Sequence, residues 1–312
     1  MPRQARLKIL DAEGCYHAWN AAACRSGEYP LAVPYVRHRF MALLKFYLGI
    51  YFCKLAAHSV MGNHFHLVLR FDAPRPLSQD QLTARARKLY PGDESIETWP
   101  QKRWKAFEKR LFDISKFMGN LEQAFSTWYN RLHSRKGTFW AARYKSSILG
   151  GPQAFLDAVT YVELNGVRAG LVARPEEYQG GSLYLREAGE DAWLMPLSEI
   201  LPDEKLSGEA LHARFKERCY YRGAVISRPG QKPISAEVIK QEKARGFKRR
   251  GVFRKRLRCF TDGLVLGSEL YVLGQLAKLR ELGRYVRRKK AVKQLEGALF
   301  SLREQRSSFV ET

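Results

Sequence analysis

The sequence has no apolar run long enough to cross a bilayer as a helix, and the opening MPRQARLKILDAEG lacks the apolar core of a secretory signal. The expectation is a cytoplasmic protein that makes no use of a membrane. Cysteine is scarce too. Cys15, Cys24, Cys53, Cys219 and Cys259 are scattered, odd in number and form no CxxC pair, so neither a zinc site nor a disulfide framework is indicated. No internal repeat and no low-complexity block argues for a solenoid or a fibre. Acidic residues are the most telling shortage: 31 Asp and Glu stand against 54 Lys and Arg, a net charge of +23. A polyanion is the natural partner of such a chain, since phosphate backbones reward it by counterion release and the attraction steers encounter at long range.

What is present is enough to build a core, with 45% hydrophobic residues in 312. Residues 14–20, GCYHAWN, read as a first strand, and residues 34–48 carry apolar positions at helical spacing. Residues 51–61 and 64–71 are strand-like runs joined by Gly62 and Asn63, a pair suited to positive φ in a two-residue hairpin turn. Residues 74–105 form an excursion with partial helix. A long amphipathic helix follows over 111–135, stopping before Gly137, and residues 138–150 read as a strand. Pro152 opens a further helix whose stripe is Phe155, Ala158, Val159 and Val162. The order strand, helix, strand, strand, helix, strand, helix fits an α+β fold, a ferredoxin-like antiparallel sheet with helices on its faces. The pattern weakens over 180–200, so the reading divides the chain into residues 1–180 and a basic, mainly helical C-terminal region, 181–312. From residue 241 onward there are 19 Lys and Arg against 7 Asp and Glu, and Ser268 is placed to cap a helix bearing Leu270, Leu273, Leu276 and Leu279.

Side chains alternate along a strand, so in HFHLVLR the imidazoles of His64 and His66 share one face and Phe65, Leu67 and Leu69 the other. Two imidazoles on a rigid face are half of a metal site. Asn165, an oxygen donor for a hard cation, and the acids Asp157 and Glu163 are candidates to complete it. Tyr161 and Asn165 lie at i and i+4, on one column of the helix beside its apolar stripe. A tyrosine hydroxyl attacks phosphorus once its proton is lost, and a nearby cation favours that loss. Spacing alone leaves the plainer alternatives open: histidines that are merely hydrogen-bonded, and a tyrosine that packs its ring and wets its hydroxyl. Trp140, Arg143, Tyr144 and Lys145, just before the tyrosine helix, are candidates to stack on unpaired bases or contact phosphates. His17, His38, His58, His133 and His212 have no comparable spacing and read as structural or surface residues.

These residues carry a resemblance. MGNHFHLVLR resembles the HUH motif (His, hydrophobic, His), and YVELNGVRAGLVARPEEY resembles the tyrosine helix of single-tyrosine HUH transposases, most narrowly the REP-associated tyrosine transposases. MPRQARL, GCYHAWN, GTFWAARYKSS and RPEEY stand in the order the family uses, over about residues 1–180. Gly62 and Gly166 occupy places where relatives commonly have proline, and glycine at 166 is expected to loosen the end of the tyrosine helix around Asn165.

The resemblance implies metal binding by His64 and His66, a third metal contact from Asn165, and Tyr161 as nucleophile. Mg²⁺ or Mn²⁺ would be the cation. The chemistry it implies is cleavage and strand transfer of single-stranded or hairpin DNA through a 5′-phosphotyrosine link, at short palindromic REP-like repeats, by a monomer or homodimer at the bacterial nucleoid. The rival reading is a non-catalytic DNA-binding regulator that keeps the transposase fold, and a third is a hydrolytic nuclease that forms no adduct.

Overall fold

The computed structural model describes residues 7–202, 205–226, 230–247, 264–281, 291–293 and 300–301. Strand β1 (Gly14–Ala21) presents Tyr16 and Ala18 to one side and His17 and Trp19 to the other. Helix α1 (Pro34–Leu48), with proline in its first turn, buries Val36, Phe40, Leu43, Leu44 and Tyr47 at three- and four-residue intervals. Strands β2 (Cys53–Val60) and β3 (His64–Phe71) then form an antiparallel pair, with a bulge between Leu55 and Ala57. Three helices follow: α2 (Gln79–Leu89), opened by a Ser78–Gln81 capping box, α3 (Gln101–Arg110), and α4 (Ile114–Leu132), capped by Asp113. Strand β4 (Lys145–Leu149) leads into α5 (Pro152–Glu163) and the one-turn α6 (Asn165–Arg168). Beyond these come α7 (Ser182–Glu187), α8 (Leu197–Ile200), α9 (Gly208–Gly223), α10 (Ala236–Ala244), β5 (Val265–Gly267), α11 (Glu269–Glu281), β6 (Val292–Lys293) and β7 (Phe300–Ser301).

Among the described residues the seven strands form one sheet in the order β2-β3-β1-β4-β5-β7-β6, antiparallel at every step except β4 to β5. The fold is therefore mixed α+β with a mostly antiparallel sheet. One face packs Tyr16, Phe65, Leu67 and Leu69 against Phe40 and Leu44 of α1 and Phe117, Leu121 and Phe125 of α4. The opposite face packs Ala57, Val68 and Leu149 against Phe155, Ala158, Val159 and Val162 of α5, with Phe215 and Cys219 of α9 behind them. Each fully buried Val, Leu or Phe among them contributes about 1.5–3 kcal/mol.

Several expectations change. The turn at Gly62 and Asn63 has two residues, yet neither has positive φ. The turn is held from outside: Leu31 N–H donates to Gly62 C=O and Ala22 N–H to Asn63 C=O, both at 2.8 Å. Glycine serves close approach there, since a Cβ at 62 would lie 2.7 Å from Tyr29 Cδ1. The strand expected over 138–150 is paired as β4 only from Lys145, because Phe139 and Trp140 turn into the core first. In α11 the buried stripe is Val272, Leu276 and Leu279, while Leu270 is 83% exposed. Past residue 180 the chain stays against the sheet: Met195 N–H donates to Leu55 C=O at 2.8 Å, and β5 extends the sheet beside β4. The basic stretches 248–258 and 284–290 lie outside the described residues.

Among the described residues Ser134 is the one non-glycine with positive φ, 48°. It ends α4 as a left-handed cap, allowing Arg135 N–H to reach back to Asn130 C=O at 2.8 Å. A Cβ in that conformation is strained. Ser134→Gly is therefore expected to raise the unfolding free energy by about 0.5–1 kcal/mol, read as a higher urea midpoint at unchanged slope; an unchanged or lower midpoint would contradict the strain.

Candidate functional site

His64 and His66 lie on the face of β3 that α5 covers, their rings 5.2 Å apart and perpendicular. The ring atom His64 Nδ1 is 2.8 Å from Asn63 Oδ1. An amide oxygen only accepts, so Nδ1 carries the proton and the neutral ring has its lone pair on Nε2. Burial holds the His64 pKa below its ordinary value, which favours that neutral form. His66 Nδ1 lies 3.0 Å from His17 Nε2. Of the two tautomeric arrangements open to this pair, the one in which His66 donates puts its own lone pair on Nε2, as a metal-ligating histidine with an ordered partner requires.

His17, read from the sequence as a structural or surface residue for want of comparable spacing, joins this cluster. It is fully buried, stacked on His66 at 5.1 Å and on Trp19 at 5.0 Å. In the register His17 is opposite Val68, so His66 is its diagonal neighbour on the same face. The face was legible from alternation in GCYHAWN; the pairing of β1 with β3 was not.

Tyr161, on α5, completes the cluster. Its ring is edge-on to His66 at 6.0 Å and to His17 at 5.8 Å, and the residue is 5% exposed. Above it sits Arg168, also buried, with the guanidinium carbon 5.2 Å from the Tyr161 ring centroid. Arg168 was missed as well, although i+7 puts it on the tyrosine's column. Asn165 lies one turn beyond Tyr161, and its buried amide nitrogen has no hydrogen-bond partner among the described residues. Leaving such a group unsatisfied costs about 1–3 kcal/mol, the mark of a site that awaits a polar partner.

The acids weighed as third partners are engaged elsewhere. Asp157 accepts from Arg218 at 2.6 Å and Arg222 at 2.7 Å, which ties α5 to α9. Glu163 accepts from Ser182 Oγ at 2.6 Å and Leu183 N–H at 2.9 Å, and burial pushes its pKa up to about 7. Among the described residues no three His, Cys, Asp or Glu side chains form a group that could hold a metal. A cation here would need two imidazoles and the Asn165 amide oxygen, the nitrogens favouring a first-row transition ion and the oxygen a harder one such as Mg²⁺ or Mn²⁺; a half-turn about χ2 brings that oxygen to the position of the orphaned nitrogen. The ring lone pairs of His64 and His66 and the unpartnered Asn165 amide are the donors on this face to which such an ion would bind.

Gly166 is packed tightly: a Cβ there would meet Tyr178 Cγ at 2.5 Å, and the Tyr178 hydroxyl donates to Val60 C=O at 2.7 Å. The expected loosening is offset by this ring. Helix α5 does end at Glu163, but Leu164 keeps the right-handed conformation and Arg168 N–H bonds its carbonyl at 2.9 Å.

Of the residues expected to touch nucleic acid, Trp140 and Tyr144 are core residues, 7% and 4% exposed. Trp140 sits among Phe40, Phe65, Phe125 and Phe139 and donates to Glu122 C=O, and the Tyr144 hydroxyl is 3.0 Å from Ser115 Oγ. Neither ring offers a face to a base. Arg143 and Lys145 are exposed.

The sequence matches no family model and no curated protein. Among solved structures it is similar to a REP-associated tyrosine transposase bound to a REP hairpin, at 15% identity over 63% of this chain and 89% of that one, with a TM-score of 0.39.

Beneath α5, Ser182 Oγ accepts from His58 N–H at 2.8 Å, binding α7 to β2. The His58 ring is buried, and burial followed by the Arg186 charge lowers its pKa to about 3. The folded state thus holds the ring neutral while an unfolded chain protonates it near the ordinary value of 6.5. Its contribution is complete above 6.5 and is lost as pH falls toward 3. Between pH 7 and 4 the wild type is expected to lose roughly 2–4 kcal/mol more than His58→Gln, measured by urea unfolding at each pH; parallel pH profiles would contradict this.

Proposed function

We propose that this protein cleaves and rejoins single-stranded or hairpin DNA, with the Tyr161 hydroxyl as nucleophile and His64, His66 and Asn165 holding Mg²⁺ or Mn²⁺. The observation that carries the reading is the convergence of Tyr161, His66 and His17 within about 6 Å of one another on one face of the sheet. The orphaned Asn165 amide one turn away supports it. So does the order β4-β1-β3-β2 with α1 and α4 on the same face, which we read as the ferredoxin-like core of an HUH domain. Residues 1–180 would carry the chemistry and the basic region 181–312 would help hold DNA, with short palindromic repeats as targets and a monomer or homodimer as the working unit.

In the proposed reaction the phenol oxygen forms a bond to phosphorus as the bond to the 3′-oxygen of the preceding nucleotide breaks. The phenol loses its proton and the departing 3′-oxygen gains one. A 5′-phosphotyrosine and a 3′-hydroxyl result, and attack by such a hydroxyl reverses the step. A bound divalent cation would neutralise charge on the phosphate and favour loss of the phenol's proton. His17 would keep the His66 ring in one tautomer and orientation. Arg168, over the tyrosine ring, would fix its tilt and add positive charge beside the developing phenolate.

The test incubates the protein with hairpin oligonucleotides carrying randomised flanks and Mn²⁺, then separates products under denaturing conditions. A covalent protein–DNA adduct is expected, absent from Tyr161→Phe and reduced at least about 100-fold in His66→Ala. Cleavage that survives Tyr161→Phe without an adduct would instead establish a hydrolytic nuclease.

A further inference from the structure

A hollow of about 970 Å³ opens at the end of the sheet that carries His64, between the segment after β1 and the end of α4. Arg25, Tyr29 and Val33 line one side, Tyr129 and Arg135 the other. Tyr29 is 58% exposed, an unusual position for a large ring. Tyr129 is half-buried against Phe125 and Phe139, with the Arg135 guanidinium carbon 5.6 Å from its ring centroid. That arginine is delivered by the strained turn at Ser134, and strain of this kind persists where surrounding structure enforces it, often at binding sites. Glu28 is the one acid on the wall, and its carboxylate accepts the Arg25 backbone N–H at 3.0 Å.

The hollow is joined to the histidines by a short chain of contacts. Tyr29 packs on Gly62, Leu31 N–H bonds the Gly62 carbonyl, and the next residue, Asn63, bonds His64 Nδ1. An exposed aromatic ring flanked by arginines is the equipment for unpaired bases on a phosphate backbone, and the net charge of +23 favours that partner over an apolar or cationic one.

We propose that this hollow holds the unpaired nucleotides next to the phosphate that Tyr161 attacks, a base stacking on Tyr29 and phosphates paired with Arg25 and Arg135; the proposal rests on reading the histidine–tyrosine site as one that cuts single strands. Tyr29 sets base-dependent affinity and Arg135 a share of the salt dependence.

The test is fluorescence anisotropy of the full chain in EDTA with a labelled oligothymidylate and an abasic oligomer of equal length. Tyr29→Ala is expected to weaken oligothymidylate binding about 5- to 100-fold and to leave the abasic oligomer nearly unaffected. Arg135→Ala is expected to flatten the slope of log affinity against log salt by about 0.7. Both side chains are exposed, and unchanged thermal midpoints will show that the variants fold. Wild-type affinity in Tyr29→Ala, or equal losses for both oligomers, overturns the proposal. Selective loss in Tyr29→Ala from a wild type that forms no adduct with any hairpin upholds the hollow and removes the cutting reaction from it.

Discussion

The register of β3 between β1 and β2 is the constraint on which the rest depends. Phe65, Leu67 and Leu69 are fully buried against α1 and α4, so a slip by one residue would turn all three toward α5 and drive His64 and His66 into an aromatic core. With about 1.5–3 kcal/mol at stake for each side chain, the register has no close competitor. The imidazoles are aimed at α5 by the packing of their neighbours. The same pairing brings His17 to His66, and the loop contacts of Gly62 and Asn63 hold the strand's first residue.

The tyrosine is positioned from the other side by residues later in the chain. Arg218 and Arg222 of α9 grip Asp157 one turn before Tyr161, and the start of α7 grips Glu163 two residues after it. Tyr178 fills the space over Gly166. A buried carboxylate that keeps its partners adds orientation more surely than net stability; here the orientation is that of the helix face bearing Tyr161, Asn165 and Arg168. The segment past residue 180 is thus part of the scaffold of the site.

How much of this was legible in the sequence follows from the range of each interaction. Alternation in HFHLVLR and the i, i+4 relation of Tyr161 to Asn165 are local, and both faces could be read directly. His17 and Arg168 depend on which strand lies beside β3 and on how the chain continues past Leu164, which composition and period do not encode. Trp140 and Tyr144 look like base-stacking residues in a basic stretch, but an aromatic surrounded by other aromatics prefers the core, and that company is assembled by tertiary contact. Gly62 and Asn63 make a strong positive-φ signal. External hydrogen bonds to Leu31 and Ala22 made another turn geometry the stable one.

The central claim is spatial: two imidazoles and a phenol address one ion. Anomalous diffraction from crystals soaked in Mn²⁺ tests it most directly. The account predicts one peak bound by Nε2 of His64 and Nε2 of His66, on the side of the sheet where the Tyr161 hydroxyl lies. A peak that touches neither ring, or one that the sheet separates from the phenol, would contradict it.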